Sequence, residues 1–500
     1  SGENVTLDAG YDTFQHQETH IRKRSGLTVG VSGGAVDTTK QVISSLDRAA
    51  NAKDGRLKAL SAWRAGRLAN ELPDKVENLE HLGKDFENPT ESAKKGDPTS
   101  GINVEISLGS SKSESSSTTN SRSALGSSAL AGGDVNITAR DDKNKADSGD
   151  INLQGTFVEA ENINLIASDD IQLTSAENSQ DSRQSTKSSS SGIGVSIGSG
   201  GLQVFVEGSK ARGLVNQTSD KYLETQLNAD EQANLQSGDD TALEGAQVYA
   251  ERIEVDTGGD LSIISQQDKE HYRNRHSSKS GRLSVSPGGS ASVSVNASEL
   301  KADSDYRSVQ EQSGLFSGEG GFDVIVGDNT KLSGAVIASS AVPEKNHLST
   351  ETIEIEDLRN HSNVNIESSS NGISTDMLKQ GKYGFAKGVV SNTLLDSEFN
   401  SKSDGYARTA VSEGDVEIRD NNGQKKKSGM NAKEQIAKLN RNIKGANSIP
   451  DRYDPESLEK KVSETQELKK AVYTEAVRFT DESYRIMFVK KVKVYEVERN

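Results

Sequence analysis

Apolar residues return along this chain with a period of about twenty residues, the scale of one stacked structural repeat. Ile151 and Leu153 lead to Ile163 and Leu165 and then to Ile171 and Leu173. The same spacing recurs at Thr241 and Leu243, Ile253 and Val255, and Leu261 and Ile263. Between the two copies Gly155 matches Gly245, Val158 matches Val248, Glu161 matches Glu251 and Asp170 matches Asp260. A third copy, at Thr330, Leu332, Gly334, Val336 and Ile337, reaches Ile353 and Ile355 after an insertion carrying Pro343. Within each unit apolar and polar residues alternate, as in Ile163-Asn164-Leu165, which is the period of a strand with one buried face. Asp or Gly precedes most of these strands, at Gly149-Asp150, Asp169-Asp170 and Gly259-Asp260, where a turn needs a side-chain cap or a positive φ. Three short strands and their corners in one unit make a coil of a right-handed parallel β-helix. Such a unit cannot bury its apolar face alone and must stack on its neighbours.

Two kinds of segment interrupt the repeats. Ser-rich runs at Ser110 to Ser117, Ser185 to Ser191 and Ser277 to Ser280 each adjoin an alternating segment that starts with Gly: Gly101-Ile102-Asn103-Val104-Glu105-Ile106, Gly192-Ile193-Gly194-Val195-Ser196-Ile197, and Gly281-Arg282-Leu283-Ser284-Val285-Ser286. A fourth, Gly26-Leu27-Thr28-Val29-Gly30-Val31, lies near the start. These are expected to leave the solenoid and pair as edge hairpins, with Gly, Ser, Thr and Asn turned outward. Brought together, the four segments would offer a weakly polar sheet to a bilayer. The second kind is helical and spans about residues 37–85. Asp37 or Thr38 caps a stripe of Val42, Leu46, Ala49 and Ala52, followed by Leu57, Leu60, Leu68 and Leu72, with Arg64 breaking the second stripe and Trp63 expected as its packing residue. After about Asp420 the pattern turns helical again, over Asn431 to Lys444 and then through Leu458, Val462, Thr465, Val472, Ala476 and Phe479, with Pro455 near a helix start. The expected division is therefore a mainly β solenoid over 1–373 with a helical hairpin insertion, a connector over 374–424 and a helical region over 425–500.

Composition fits a fibre with a thin core. Only 31% of residues are hydrophobic and 4% aromatic, and adding glycine brings the apolar share to roughly 40%, below the usual 45–50% of a globular domain. The chain contains no cysteine, which removes disulfides, Cys-ligated zinc and thiol catalysis. No apolar run reaches the length of a membrane-spanning helix and no signal sequence opens the chain, which reads as a segment of something longer. Lys425 to Asn500 carries 18 Lys and Arg against 12 Asp and Glu, while the chain as a whole stands at −16. An acidic solenoid does not suit nucleic acid, whose phosphates need a basic stripe.

Catalysis finds no constellation. His16 and His20 are four apart but lack the Glu that a zinc-protease helix places beside the first His, and they are expected in a polar loop. Gly318 to Gly321 is not followed by Lys-Ser or Lys-Thr, so no phosphate-cradling loop is indicated. A polysaccharide lyase on this fold would need Asp and a basic residue clustered on one face, whereas Asp170 and Asp260 fall at corners as turn caps. The Gly-Gly-x-Gly-x-Asp nonapeptide of calcium-binding β-rolls is also missing. No catalytic, cofactor-binding or metal-ligating residue is assigned, and no cofactor is expected.

The run from Gly320-Gly321-Phe322-Asp323 through Val336-Ile337-Ala338-Ser339 resembles the second haemagglutinin-repeat region of contact-dependent growth inhibition exoproteins, filamentous haemagglutinin-like proteins of two-partner secretion systems. Arg56-Leu57-Lys58-Ala59-Leu60, Ser111-Lys112-Ser113-Glu114-Ser115 and Ala410-Val411-Ser412-Glu413-Gly414-Asp415 are similar to that family in the same order. The resemblance implies a segment that is held back in the periplasm, exported to the surface of a Gram-negative cell, and then associated with the outer membrane of a contacted cell to pass a C-terminal toxin inward. It further implies an outer-membrane two-partner transporter, and a toxin with its immunity protein beyond this chain. The helical end would be the start of the pretoxin region. The family's Val-Glu-Asn-Asn border is absent; Val76-Glu77-Asn78-Leu79 matches it only in part. The alternative is the shaft of an adhesin that spaces or binds a receptor, which a Tyr- or Trp-rich binding face would mark.

Overall fold

The computed structural model describes residues 2–52, 54–77, 102–141, 148–198, 201–287, 291–374 and 396–482. Its body is a parallel β-helix. One wall is a seven-stranded parallel sheet running from Val5–Leu7 through Ile151–Gln154, Ile171–Thr174, Thr241–Glu244, Leu261–Ile264 and Asn329–Ser333 to Thr352–Glu356. Leu7, Leu153, Leu173, Leu243, Ile263, Leu332 and Ile355 stand in register down this wall. The positions matched between the repeat copies thus share a column two coils apart, as Val158 and Val248 do with Leu227 between them.

The other two walls come from long strands with a register break near the middle, such as Thr225–Ser237 on Ala246–Thr257. Thr156–Ala167 shows why one strand serves two walls: its first limb pairs with Ser127–Leu130 and its second with Val135–Ala139. Three short limbs per coil follow. Ile163, Leu165, Ile253, Val255 and Val324 fill the interior at 0–2% exposure, and one continuous apolar cluster extends from Ala139 to Leu439.

The corner after the first wall is turned in two alternating ways. In three coils one or two residues turn it, and Gly155, Gly245 and Gly334 there have φ of 56°, 70° and 57°, a region only glycine enters without strain. In the intervening coils the same corner extrudes a hairpin. The hairpin strands are β1 (Gly10–Gly33), β2 (Ile102–Leu125), β3 (Ala176–Gly198), β4 (Gly201–Leu223), β5 (Asp268–Val285), β6 (Ala291–Ser308), β7 (Leu358–Ser374) and β8 (Ser397–Ala407). They form one eight-stranded sheet in the order β1 to β8, and every pair is antiparallel. A hairpin is two strands wide, about 9.6 Å, which equals the rise of two coils at about 4.8 Å each. One hairpin for every two coils therefore lets neighbouring hairpins pair without a gap.

Helices α1 (Gly34–Asn51) and α2 (Gly55–Glu77) stand between β1 and β2. Of the stripe read for α1, Ala52 just past its end is buried and Val42 and Ala49 are half-buried, alongside buried Thr38 and Ser45, whereas Leu46 is 55% exposed. On α2 the expected Leu57 and Leu68 are buried together with Ser61 and Ala65. Trp63, expected as the packing residue, is 44% exposed and has the Arg67 guanidinium 5.6 Å from its ring centre. Residues 78–85 of the expected insertion, and Asn78 and Leu79 of the partial border motif, lie outside the described residues.

Within the span expected as a connector, residues 375–395 lie outside the described residues and 397–418 are strands. Ala410–Val411 and Asp415–Ile418 pair in parallel with solenoid strands, and β8 closes the last hairpin. Two short helices, α3 (Asn421–Ser428) and α4 (Ala432–Ala437), follow. The sequence suggested a helix to Lys444. The structure ends it at Ala437 after a capping box formed by Asn431 and Glu434, because Leu439 is drawn into the solenoid cluster. Helix α5 (Pro455–Glu482) begins at the expected proline.

Candidate functional site

The hairpin sheet is the feature that a plain fibre lacks. Side chains directly opposite in an antiparallel sheet share a face, so the pairing register fixes which residues lie side by side. Near the hairpin tips the row Leu27, Leu108, Ile193, Val206, Leu283 and Val293 crosses β1 to β6 without interruption. Two residues nearer the tips, a second row joins Val29, Ile106, Val195, Val204 and Val285. A third joins Val104, Ile197 and Leu202. Val206 is 51% exposed, Ile193 55% and Leu27 69%. The four Gly-led segments of the sequence do meet here, joined by Leu202 to Val206 of β4 and Val293 to Val295 of β6, which lack a leading glycine.

Their orientation reverses the sequence expectation. The aliphatic residues face solvent, and the small residues face the covered side. On that side Phe205 is 2% exposed and lies against Gly194, where any Cβ would collide with its ring. The Arg282 guanidinium stacks on the same ring, 3.8 Å from its centre, while its nitrogens reach Glu105 at 3.0 Å and Glu207 at 3.6 Å. One arginine thereby ties together β2, β4 and β5.

Helix α5 covers the same side nearer the solenoid. Leu458 and Val462 pack with Tyr272, Ala302, Val364 and Ile366 in a core separate from that of the solenoid. Asn274 Nδ2 donates to the Glu459 carboxylate at 2.9 and 3.1 Å, and burial pushes that carboxyl above its ordinary range. Farther along, Arg48 of α1 pairs with Glu467 at 2.6 Å, and the backbone N–H of Asp54 donates to Glu464 at 2.9 Å. The helices thus clamp one face of the sheet and leave the aliphatic face bare.

Elsewhere the chemistry is structural. His16 and His20 lie on strand β1 rather than in a loop, and both flank Glu18 on an exposed surface. The hydrogen bond from His20 holds the Glu18 carboxyl below its usual range. Asp169, Asp170 and Asp239 bring carboxylate oxygens within 4.8 Å of one another at a corner. Burial, then the charges of Asp170, Asp150 and Asp239, raise the Asp169 carboxyl; Asp240 is the main cause for Asp239. Asp170 already accepts the backbone N–H of Asp240 at 3.0 Å, so the stacking of coils accounts for the cluster. A surface groove of about 670 Å³, lined by Gln226, Asn228, Gln247, Tyr249 and Phe316 among others, has Glu311 as its one carboxylate.

Residues 108–281 match the haemagglutinin repeat family model. The chain is 33% identical over 473 residues to a protein named deoxyribonuclease CdiA of Yersinia pseudotuberculosis, covering 93% of this chain and 42% of that one. It is 33% identical to a deoxyribonuclease CdiA of Dickeya dadantii over 93% of this chain and 13% of the relative. A tRNA nuclease CdiA of Escherichia coli is 33% identical over 92% of this chain and 14% of its own length. This is a CdiA-like, filamentous haemagglutinin-type exoprotein region. The chain spans less than half the length of these relatives. No solved structure matches the chain. No described helix is long and apolar enough to cross a membrane.

Proposed function

We propose that this segment of a CdiA-like exoprotein is a non-catalytic translocation region, which associates with the outer membrane of a contacted cell and mediates passage of a toxin carried C-terminal to it. The observation that carries the reading is the bare aliphatic face at the hairpin tips, mounted on a solenoid whose outward apolar residues, such as Leu130, Ile166 and Ile325, are scattered singly. A shaft that only spaces a receptor has no use for a sheet that holds more than ten aliphatic side chains in water. Solvent-exposed apolar patches of that extent mark interaction surfaces.

The nuclease activities in the relatives' names belong to those proteins, and the haemagglutinin-repeat match lies within the solenoid and hairpins. On this reading the partners are the outer membrane of the contacted cell, the two-partner transporter of the producing cell, and the toxin with its immunity protein. Nucleic acid is not a partner of this region. The division into a solenoid over 1–373, a connector over 374–424 and a pretoxin region from 425 belongs to the same proposal, with Ala410–Val411 and Asp415–Ile418 stacked on the last coils.

The test is a mixed-cell assay with the parent chain fused to a reporter and deleted from Asn136 to Ile337. Surface display and cell binding are expected to persist while reporter entry stops. Unchanged entry would reduce the region to a spacer, and lost cell binding would favour the adhesin shaft.

A further inference from the structure

The bare face of the hairpin sheet has a second chemical zone. One row inward from the aliphatic rows, β1 to β5 carry only small residues: Ser25, Ser110, Ser191, Gly208 and Gly281. The next row on the same face is Lys23, Lys112, Ser189, Lys210 and Lys279. One further row inward, Lys187 and Arg212 are direct neighbours, balanced by Glu114 and Glu299 in the same row, so the net positive charge lies in the lysine row. Four lysines in one cross-strand row are unusual, because like charges placed opposite one another destabilise a sheet. Lys112 is paired with Glu114 at 3.0 Å. Lys23, Lys210 and Lys279 form no ion pair among the described residues. The row occurs in a chain whose net charge is −16, so it does not follow from composition.

We propose that this face is a lipid-docking surface that seats on a bilayer with anionic headgroups, with the aliphatic rows at the acyl boundary and the lysine row at the phosphates. It rests on the translocation reading and names the surface and headgroup chemistry that reading requires. The dimensions agree. Four residues separate the Leu27 row from the Lys23 row, about 13 Å along a strand. Lysine side chains reach several ångströms back toward either zone, and interfacial elements bury their apolar side about 5–10 Å into the headgroup boundary. The aliphatic zone is about 25 Å wide across six strands. A second copy of this chain is the less suitable occupant, since stacking two such faces would set two lysine rows against each other.

The test uses the whole chain and vesicles of phosphatidylcholine, with or without 30% phosphatidylglycerol as the anionic probe lipid. Flotation with the anionic vesicles is expected, with little on phosphatidylcholine alone. Replacing Lys23, Lys112, Lys210 and Lys279 by Gln should weaken binding by roughly tenfold or more, given about 1 kcal/mol per basic residue near an anionic surface. Replacing Leu27, Leu108, Ile193 and Leu283 by Thr keeps strand propensity and should weaken it comparably. The chain has no native cysteine, so an environment-sensitive dye at Val206→Cys should shift to the blue on vesicles, while the same dye at Asn120→Cys, near the sheet base, should not. Equal binding by the lysine variant, or dye shifts that do not distinguish the two positions, overturns the proposal. So does a concentration-dependent dimer that the Thr variant abolishes without any vesicle binding. Failure of the proposal and of the translocation reading separate cleanly. Vesicle binding with undiminished reporter entry in the Lys and Thr variants keeps the surface and removes its need in delivery. Absence of vesicle binding with a positive deletion assay does the reverse.

Discussion

Asp240 accepts the backbone N–H of Asp260 at 2.7 Å, one rung of a ladder that climbs the corners of the solenoid. Asn4 accepts from Asp150, Asp150 from Asp170, Asp170 from Asp240, and Asp260 from Asn329. Each side chain satisfies a donor in the neighbouring coil, so these residues fasten one coil to the next. Asp240→Ala should cost about 1 kcal/mol, the net worth of one hydrogen bond, read as a lower urea midpoint. Asp240→Asn keeps the acceptor, as Asn4 does, and removes the charge that most raises the Asp239 carboxyl. It should match or exceed the native midpoint, and the Asp239 titration should move down toward its ordinary value. Equal losses for Ala and Asn would sink the ladder as the explanation.

The corner glycines should be far less tolerant. Gly245 has φ 70°, and a Cβ there would run into the Ser175 side chain. Gly155 would meet the Ala176 Cβ at 2.7 Å and Gly334 the Leu358 Cδ1 at 2.8 Å. Left-handed backbone alone costs about 1–2 kcal/mol for a residue with a side chain. Each Gly→Ala variant should therefore lose more than about 2 kcal/mol in urea unfolding. Gly208→Ala, with φ outside the left-handed region and only the Ser190 carbonyl oxygen at 3.5 Å, is the control and should stay within about 0.5 kcal/mol.

Much of the solenoid was legible because its periodicity is local: Leu153, Leu173, Leu243 and Ile263 lie one above another as the repeat spacing requires. The hairpin sheet was legible in part. Its Gly-led strands could be recognised, but β4 and β6 supply two of six strands to the apolar rows without a glycine signature. Which face would be bare was not legible. Alternation such as Ile193-Gly194-Val195 defines two faces symmetrically, and the choice between them is made by partners far away in the chain, Phe205 and Arg282 over Gly194 and α5 over the strands beyond. The corner aspartates announced turns, whereas their partners in the next coil depend on hairpins of some fifty residues being looped out between them.

Stability should fall as pH rises through neutrality, and Glu224 is the main reason. It joins β4 to the next solenoid strand, and burial, with Glu311 and Asp268 nearby, pushes its carboxyl up to about 7. An unfolded Glu titrates near about 4.3. The folded state therefore holds the proton more tightly, and this contribution is complete below about 4.3 and lost as pH rises through about 7. The raised Asp169 and Asp239 carboxyls act in the same direction. Glu224→Gln should flatten the urea midpoint between about pH 4.5 and 7.5 relative to the native chain. A profile with unchanged slope would show that Glu224 titrates as an ordinary surface carboxylate.

Helix α5 should detach without melting the fibre. Leu458 and Val462, 8% and 5% exposed, belong to a core formed with the hairpin sheet, apart from the solenoid core. A buried Leu→Ala change typically costs about 2–5 kcal/mol, and here the low end applies because the docked helix can move to fill part of the space. That cost falls on a local opening rather than on the whole fold. Leu458→Ala should therefore speed trypsin cleavage at Lys460 and Lys461 by roughly thirtyfold, which corresponds to about 2 kcal/mol of opening free energy. The urea midpoint of the solenoid should remain at its native value. The salt bridge from Arg48 to Glu467 and the bond from Asp54 to Glu464 tie α1 and α2 to the same helix, so hydrogen exchange in α2 should rise with it. Unchanged exchange in α2 would mean that the helical hairpin holds its place through β1 and β2 alone.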